Sequence, residues 1–344
     1  MNTLQLTTND KDIRFAGGLI RVGDLVAFPT ETVYGLGANA LNAEAVKSIY
    51  TAKGRPSDNP MIVHISEAAD LPKLIKGGID GISDDAIALI EAFWPGPLTM
   101  IFKKSDIVPD VTTGGLDTVA IRMPSNDTAL RLIDAARVPI AAPSANLSGK
   151  PSPTNAEDVL EDMDGRISAV IMGEQSDIGI ESTVVDLTGD IPVILRPGAL
   201  TARNLMSVLG KEVVYDKSLL EKPETIADPK NGVVEVEFAP KSPGMKYKHY
   251  APKAKVKLIE GDYKNFLQKA YELAEDAKKK GLKINIINYD DDAKTAAYKF
   301  FSDLREMDRQ GYDLIIIRAL EENGFGFSVM NRMLKSAGYD VIKE

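Results

Sequence analysis

Four short segments gather hydroxyls, amides and cations next to small residues, a mixture suited to holding a charged small molecule. PTETVYGLG sets Thr30 and Thr32 beside Gly35 and Gly37. Hydroxyls donate or accept hydrogen bonds, and glycines permit close backbone approach or positive φ. KGRPSDNP carries Lys53, Arg55 and Asn59 on a Pro-stiffened loop. Closely spaced cations suit a phosphate or carboxylate, although cations are also favourable at a helix C-terminus. PIAAPSANLSGKPSPTN feeds an apolar run into a loop bearing Ser144, Asn146, Ser148 and Ser152. A helix start follows, and its free N–H groups favour an anion. GIESTVVDLTG and ILRPGAL place Ser182 and Thr183 at a strand entry and Arg196 at a strand exit.

Two further polar residues interrupt apolar strands. Arg122 in VAIRMP needs a partner, because an unpaired buried charge is costly. A structural acid and a ligand carboxylate would each serve. His64 in MIVHI reads, by itself, as a hydrogen-bonded structural histidine.

The elements that must position these residues alternate in type. DLVAF, MIVHI, VAIRM, VPIAA, SAVIM, STVVDL and PVILR read as strands. One helix is predicted from an Asn42 cap to a stop at Gly54 and Pro56, and another from Ser83 to Pro95. TALRLIDAA and LTARNLMSVLG also read as helices, and Thr154 to Glu157 as a capping box opening a further one. Strand ends of α/β proteins are common ligand sites. Over residues 211–252 periodicity weakens and Pro223, Pro229, Pro240, Pro243 and Pro252 accumulate, which reads as a linker with one strand at VVEVEF. From Ala254 strands and helices alternate up to Gly338, as in a small parallel sheet with helical crossovers.

Composition narrows the chemistry. The chain has 344 residues, with 41 basic and 50 acidic side chains for a net charge of −9. Such a length predicts two domains. No cysteine is present, which removes disulfides, thiolate nucleophiles and Cys-ligated metals. Two histidines, His64 and His249, are too few for a multi-histidine metal site within one chain. The acidic balance argues against stable nucleic-acid binding. The acidic start and the lack of a long apolar run predict a cytoplasmic protein without membrane association. No GxxxxGK[ST] loop, strand-linked GxGxxG turn or GxSxG elbow occurs.

Taken together, KGRPSDNPMIVHI, WPGPLTMIF, PIAAPSANLSGKPSPT, GIESTVVDLTG and ILRPGAL resemble the YrdC-like family. With SPGMKYKHYAP and the C-terminal α/β rhythm, the chain resembles the long, two-domain threonylcarbamoyl-AMP synthases. The resemblance implies a twisted, open α/β sheet around a positively charged cavity, plus a small C-terminal Rossmann-like parallel α/β domain. The expected division is residues 1–210 for the catalytic domain, 211–252 for linker and active-site lid, and 253–344 for the C-terminal domain. The implied reaction joins L-threonine, bicarbonate or CO2, and ATP into L-threonylcarbamoyl-AMP and pyrophosphate. A separate transferase would then modify N6 of adenosine 37 in tRNA. Such transfer needs positioning and charge stabilisation rather than a covalent nucleophile.

The same resemblance implies residue roles. Lys53 and Arg55 match a KxR pair, and Ser144 and Asn146 an SxN pair; these four are the expected catalytic residues. Lys53, Arg55, Asn59, Thr118, Ser144, Ser152 and Arg196 would contact ATP, while Thr32, His64, Arg122, Ala142 and Ser182 would form the threonine pocket. Mg2+ is expected to arrive with ATP, without a protein-held metal site. From Ser242 to Lys257 the chain has five lysines and no acid. The resemblance implies that this stretch folds over the site with a tyrosine on ATP, Tyr247 being favoured over Tyr250. In the C-terminal domain, the segment Asn323 to Phe327, and Asn331 with Arg332, are the candidate functional residues, without an assigned role. An RNA-binding protein and a hydrogenase-maturation type of carbamoyl transfer are the competing functions. Net charge opposes the first, and the absence of acylphosphatase and zinc-finger segments opposes the second.

Overall fold

The computed structural model describes residues 2–220, 226–228, 232–234 and 249–343. A large mixed sheet of eleven strands runs from Leu4–Leu6 at one edge to Val214–Tyr215 at the other. At its centre lie, side by side, Gly35–Asn39, Ile140–Ala141, Ile62–His64, Thr118–Arg122, Leu98–Lys103, Thr183–Asp186 and Val193–Arg196. Their Val, Ile and Ala side chains are buried on both faces, which is why the sequence runs apolar rather than alternating. A second sheet is wholly parallel, in the order Ile284–Ile287, Leu314–Arg318, Lys255–Ile259, Val341–Ile342. Helices Tyr263–Lys279, Ala293–Arg309 and Phe325–Ser336 connect its strands. The expected fold class is the one found.

Several local expectations change. Gly35–Asn39 is a strand, although its glycines read as a loop. Neither Gly35 nor Gly37 has positive φ. A Cβ on Gly37 would sit 2.9 Å from both Ile140 Cγ2 and Phe28 Cε1, so glycine serves close approach here. The helix Ala156–Met163 is capped by Asn155, whose side chain accepts from the Asp158 N–H, and not by Thr154. Thr154 is buried, and its hydroxyl lacks a partner among the described residues. Val214–Tyr215 pairs with Val193–Ile194, so the large sheet continues past residue 210. In the linker, Gly232–Val234 pairs antiparallel with Ile226–Asp228, and the rest of VVEVEF lies outside the described residues.

The two sheets meet through a buried junction. Val33 and Ile180 of the first domain pack into the core of the second, with Tyr250, Ala297 and Phe301. Arg305, on Ala293–Arg309, donates to the Pro151 carbonyl at 2.6 Å and to Asp162 Oδ2 at 2.8 Å. Arg309 reaches Asp158 Oδ1 at 2.7 Å. Among the described residues no helix is long and apolar enough to cross a membrane.

Candidate active site

Strand register assembles the first wall of a cavity. His64 pairs with Arg122, Arg122 with Thr99, and Leu98 with Thr183, so four strands from separate parts of the chain come together here. A cavity opens at these strand ends. Thr32, His64, Arg122, Ala142 and Ser182 line this wall.

Arg122 is 4% exposed, and it has the acid it requires. Its Nη2 lies 2.7 Å from Glu31 Oε1. Nη1 donates to Thr32 Oγ1 at 2.8 Å, and Nε to the Gly96 carbonyl at 3.3 Å. Burial acts to raise the Glu31 carboxyl, but Arg122 outweighs it and holds Glu31 below the usual carboxylate range. Burial, reinforced by the Arg122 charge, pushes His64 down to about 3, so its ring is neutral near pH 7. The Ser182 hydroxyl lies 2.8 Å from Thr99 Oγ1 and accepts from Arg196 Nη2 at 2.9 Å. Arg196 arrives there because the Pro197–Gly198 turn lies against the Glu181–Thr183 backbone. A Cβ on Gly198 would stand 2.4 Å from the Thr183 nitrogen.

Cations build the second wall. Lys53 ends the helix Ala43–Lys53, which the left-handed Gly54 terminates. Its Nζ donates to the Ser144 and Asn146 carbonyls, both at 2.5 Å, and lies 3.5 Å from Asn146 Oδ1. Burial first, then the Arg55 charge, lowers Lys53 well below an ordinary lysine. The Ser144 hydroxyl donates to Asn146 Oδ1 at 2.5 Å, closing the loop on itself. Arg55 Nη2 donates to the Asn59 and Pro60 carbonyls at 3.3 and 3.1 Å. Lys53 therefore fixes the loop that follows Ile140–Ala141, and Arg55 is braced by its own loop.

The third wall is shared between domains. Ser152 donates to Glu181 Oε1 at 2.6 Å, and Arg332 Nε donates to Glu181 Oε2 at 3.1 Å. Burial acts to raise Glu181, yet Arg332 and Arg196 hold it below the usual carboxylate range. Burial brings Arg196 down to about 10, so it remains a cation. His249 and Tyr250 close this side of the cavity. Tyr250 packs on Phe301, with ring centroids 5.1 Å apart. Burial, then the Arg55 charge, pushes His249 down to about 3.

The cavity thus gathers Lys53, Arg55, Ser144, Asn146, Ser152 and Arg196 with the five residues of the first wall. Two expected ATP contacts do not line it. Asn59 is buried behind Arg55, touching it through its carbonyl. Thr118 begins the strand that Arg122 ends and pairs with Lys103. At about 3.3 Å per residue, that places it roughly 13 Å from Arg122 along the strand. Tyr247 lies outside the described residues. Sequence reasoning missed Glu31, Glu181 and Thr99. The two acids sit inside PTETVYGLG and GIESTVVDLTG, and an arginine that demands a partner was the signal for one of them.

Comparison with known proteins gives concordant matches. The family described as "Telomere recombination" matches residues 18–198, and that described as "Threonylcarbamoyl-AMP synthase, C-terminal domain" matches residues 201–338. The threonylcarbamoyl-AMP synthase of Pyrococcus abyssi is 48% identical, over 96% of this chain and 95% of its own. The one from Bacillus subtilis is 42% identical, over 99% and 97%. The crystal structure of P. abyssi Sua5 complexed with L-threonine aligns with a TM-score of 0.90 at 46% identity, covering 100% of both chains.

Proposed function

The chain belongs to the threonylcarbamoyl-AMP synthase family, and from that premise we propose that it makes L-threonylcarbamoyl-AMP and pyrophosphate from L-threonine, bicarbonate or CO2, and ATP. The observation that carries this reading is one cavity in which two of the three walls are chemically distinct. One has a neutralised arginine among hydroxyls; the other has cations and a braced polar loop.

The free threonine amine adds to CO2 with release of a proton, or condenses with bicarbonate with loss of water, to give a carbamate. A carbamate oxygen then attacks the α-phosphorus of ATP. The bond from that phosphorus to the bridging β-oxygen breaks, and pyrophosphate leaves with the electron pair. Nη1 of Arg122 has two N–H groups and uses one on Thr32, so the other serves the threonine carboxylate. Glu31 holds the guanidinium still. Ser182 meets the substrate's polar groups, and neutral His64 and Ala142 shape the pocket without adding charge. Arg55 and Arg196 supply positive charge toward the phosphates. Lys53 acts by holding the loop that presents Ser144 and Asn146.

Mg2+ enters as part of the MgATP substrate. No group of three or more His, Cys, Asp or Glu residues suited to a metal forms among the described residues, and Glu31 and Glu181 are each taken by an arginine. ATP phosphates and water suffice to hold the ion. His249 and Tyr250 help exclude water from a labile mixed anhydride. That product passes to a separate transferase acting on adenosine 37 of tRNA.

The test is an incubation with ATP, threonine and bicarbonate. Pyrophosphate release that requires both threonine and bicarbonate is expected. Release indifferent to threonine overturns the reading.

A further inference from the structure

Arg332 is the largest side chain among those that are fully buried. It sits on Phe325–Ser336 in the C-terminal domain, yet its hydrogen bonds reach into the first domain. Nε donates to Glu181 Oε2 at 3.1 Å, Nη2 approaches the Glu181 carbonyl at 3.5 Å, and Nη1 bonds the Pro197 carbonyl. One helical turn earlier, Ser328 donates to the Gly198 carbonyl at 2.7 Å. The C-terminal helix thus grips both the Glu181 segment and the turn that delivers Arg196. A guanidinium so buried requires a counter-charge, and Glu181 provides it.

The other oxygen of Glu181 has a different task. It accepts the Ser152 hydroxyl at 2.6 Å, and Ser152 lines the cavity. A hydroxyl has one hydrogen and two lone pairs. With that hydrogen committed to a carboxylate, Ser152 offers the cavity lone pairs alone. Its ligand partner must therefore be a donor, such as a sugar hydroxyl or a base amine, and not a phosphate oxygen.

We propose that Arg332 is a positioning residue for the nucleoside half of the cavity: by holding Glu181 it commits the Ser152 hydrogen, so that Ser152 accepts a hydrogen bond from the nucleoside of ATP. This rests on the reading of the cavity as an ATP and threonine site. The C-terminal domain thereby completes the nucleotide pocket through one shared carboxylate.

The experiment compares full-length wild type, Arg332→Gln, Arg332→Lys, Ser152→Ala, the Ser152→Ala/Arg332→Gln double variant and Arg309→Ala. Pyrophosphate release is measured against ATP and against threonine. Threonine-dependent release by wild type sustains the functional reading independently of what the variants do. Arg332→Gln is expected to raise the KM for ATP about tenfold, with the KM for threonine within about twofold of wild type. Adding Arg332→Gln to Ser152→Ala should change the ATP KM by less than about twofold, because both act on one hydroxyl. Arg332→Lys, which keeps a cation near Glu181, should recover part of the loss. Arg309→Ala loosens the same domain junction away from Glu181 and should leave both KM values unchanged. Equal rises in the two KM values, or independent multiplicative effects of Ser152→Ala and Arg332→Gln, overturn the proposal. Should Arg332→Gln fail to fold, an unchanged ATP KM in Arg332→Lys or Ser152→Ala overturns it, and a selective rise in both supports it.

Discussion

Glu31–Arg122 and Glu181–Arg332 are two buried carboxylate–guanidinium pairs facing one cavity, but they are built differently. The first lies within one domain, where the strand Thr118–Arg122 meets the loop after Val26–Phe28. The second spans two domains, with its arginine on the C-terminal helix. Both carboxyls are held below their usual range against the opposing effect of burial. The difference teaches which half of the cavity depends on the second domain. The threonine wall assembles when the large sheet forms. In the nucleotide wall Glu181 has the Arg196 charge from its own domain but gains its direct ion pair, with Arg332, once the C-terminal domain docks.

The sharpest break in this comparison is Arg122→Met. It strands Glu31 in the interior and should destabilise the first domain by about 3–5 kcal/mol. Thermal denaturation of the full chain should show a large drop in Tm, with loss of threonine-dependent activity. A Tm close to wild type would mean that Glu31 is protonated or hydrated rather than paired.

Acid should weaken both pairs together. Their carboxyls sit below the ordinary value of 4.5, so the stabilisation is complete above that pH and is lost as pH falls through the depressed values. Urea midpoints measured from about pH 6 to about pH 3 should stay level and then decline. Glu31→Gln should reduce the slope by removing one contributor. An unaltered slope would remove Glu31 from the account.

Gly198→Ala separates the pairs. Its methyl group would collide with the Thr183 nitrogen and the Glu181 carbonyl, at 2.4 and 2.7 Å, while leaving Glu31 untouched. A loss of about 1–3 kcal/mol is expected. The ATP KM should rise more than the threonine KM. Equal changes in both would show that the two walls move as one.

Arg309→Ala is the mildest change. Its side chain is 41% exposed, and Asp158 keeps Arg305 at 4.0 Å when Arg309 is gone. The cost should stay below about 1 kcal/mol, read as a small change in Tm. A larger loss would place more of the domain docking energy at this rim than at Arg332.

The candidate site was legible in the sequence wherever residue type alone announced a need. Arg122 inside an apolar strand demanded a partner, and Lys53 beside Gly54 marked a helix end that points a cation at a loop. The Gly35–Asn39 strand was not legible, because its glycines serve tight packing against Phe28 on the paired strand and against Ile140, which is remote in sequence. The cap at Asn155 was misassigned to Thr154, since both residues can cap and backbone geometry chooses between them. Thr118 was expected among the ATP contacts from the resemblance, and the extended strand sets it at the end away from Arg122.

By itself the sequence determined the two α/β units, the strand ends that carry polar residues and the family, because periodicity and local motifs are properties of neighbouring residues. Tertiary structure alone decided the pairing of charges. Glu31 meets Arg122, Glu181 meets Arg332, and Lys53 meets the Ser144–Asn146 loop through contacts between segments far apart in the chain. Each buried charge requires some partner, which is a local rule. Which partner it finds depends on strand register and domain docking, and these exist once the whole chain has packed.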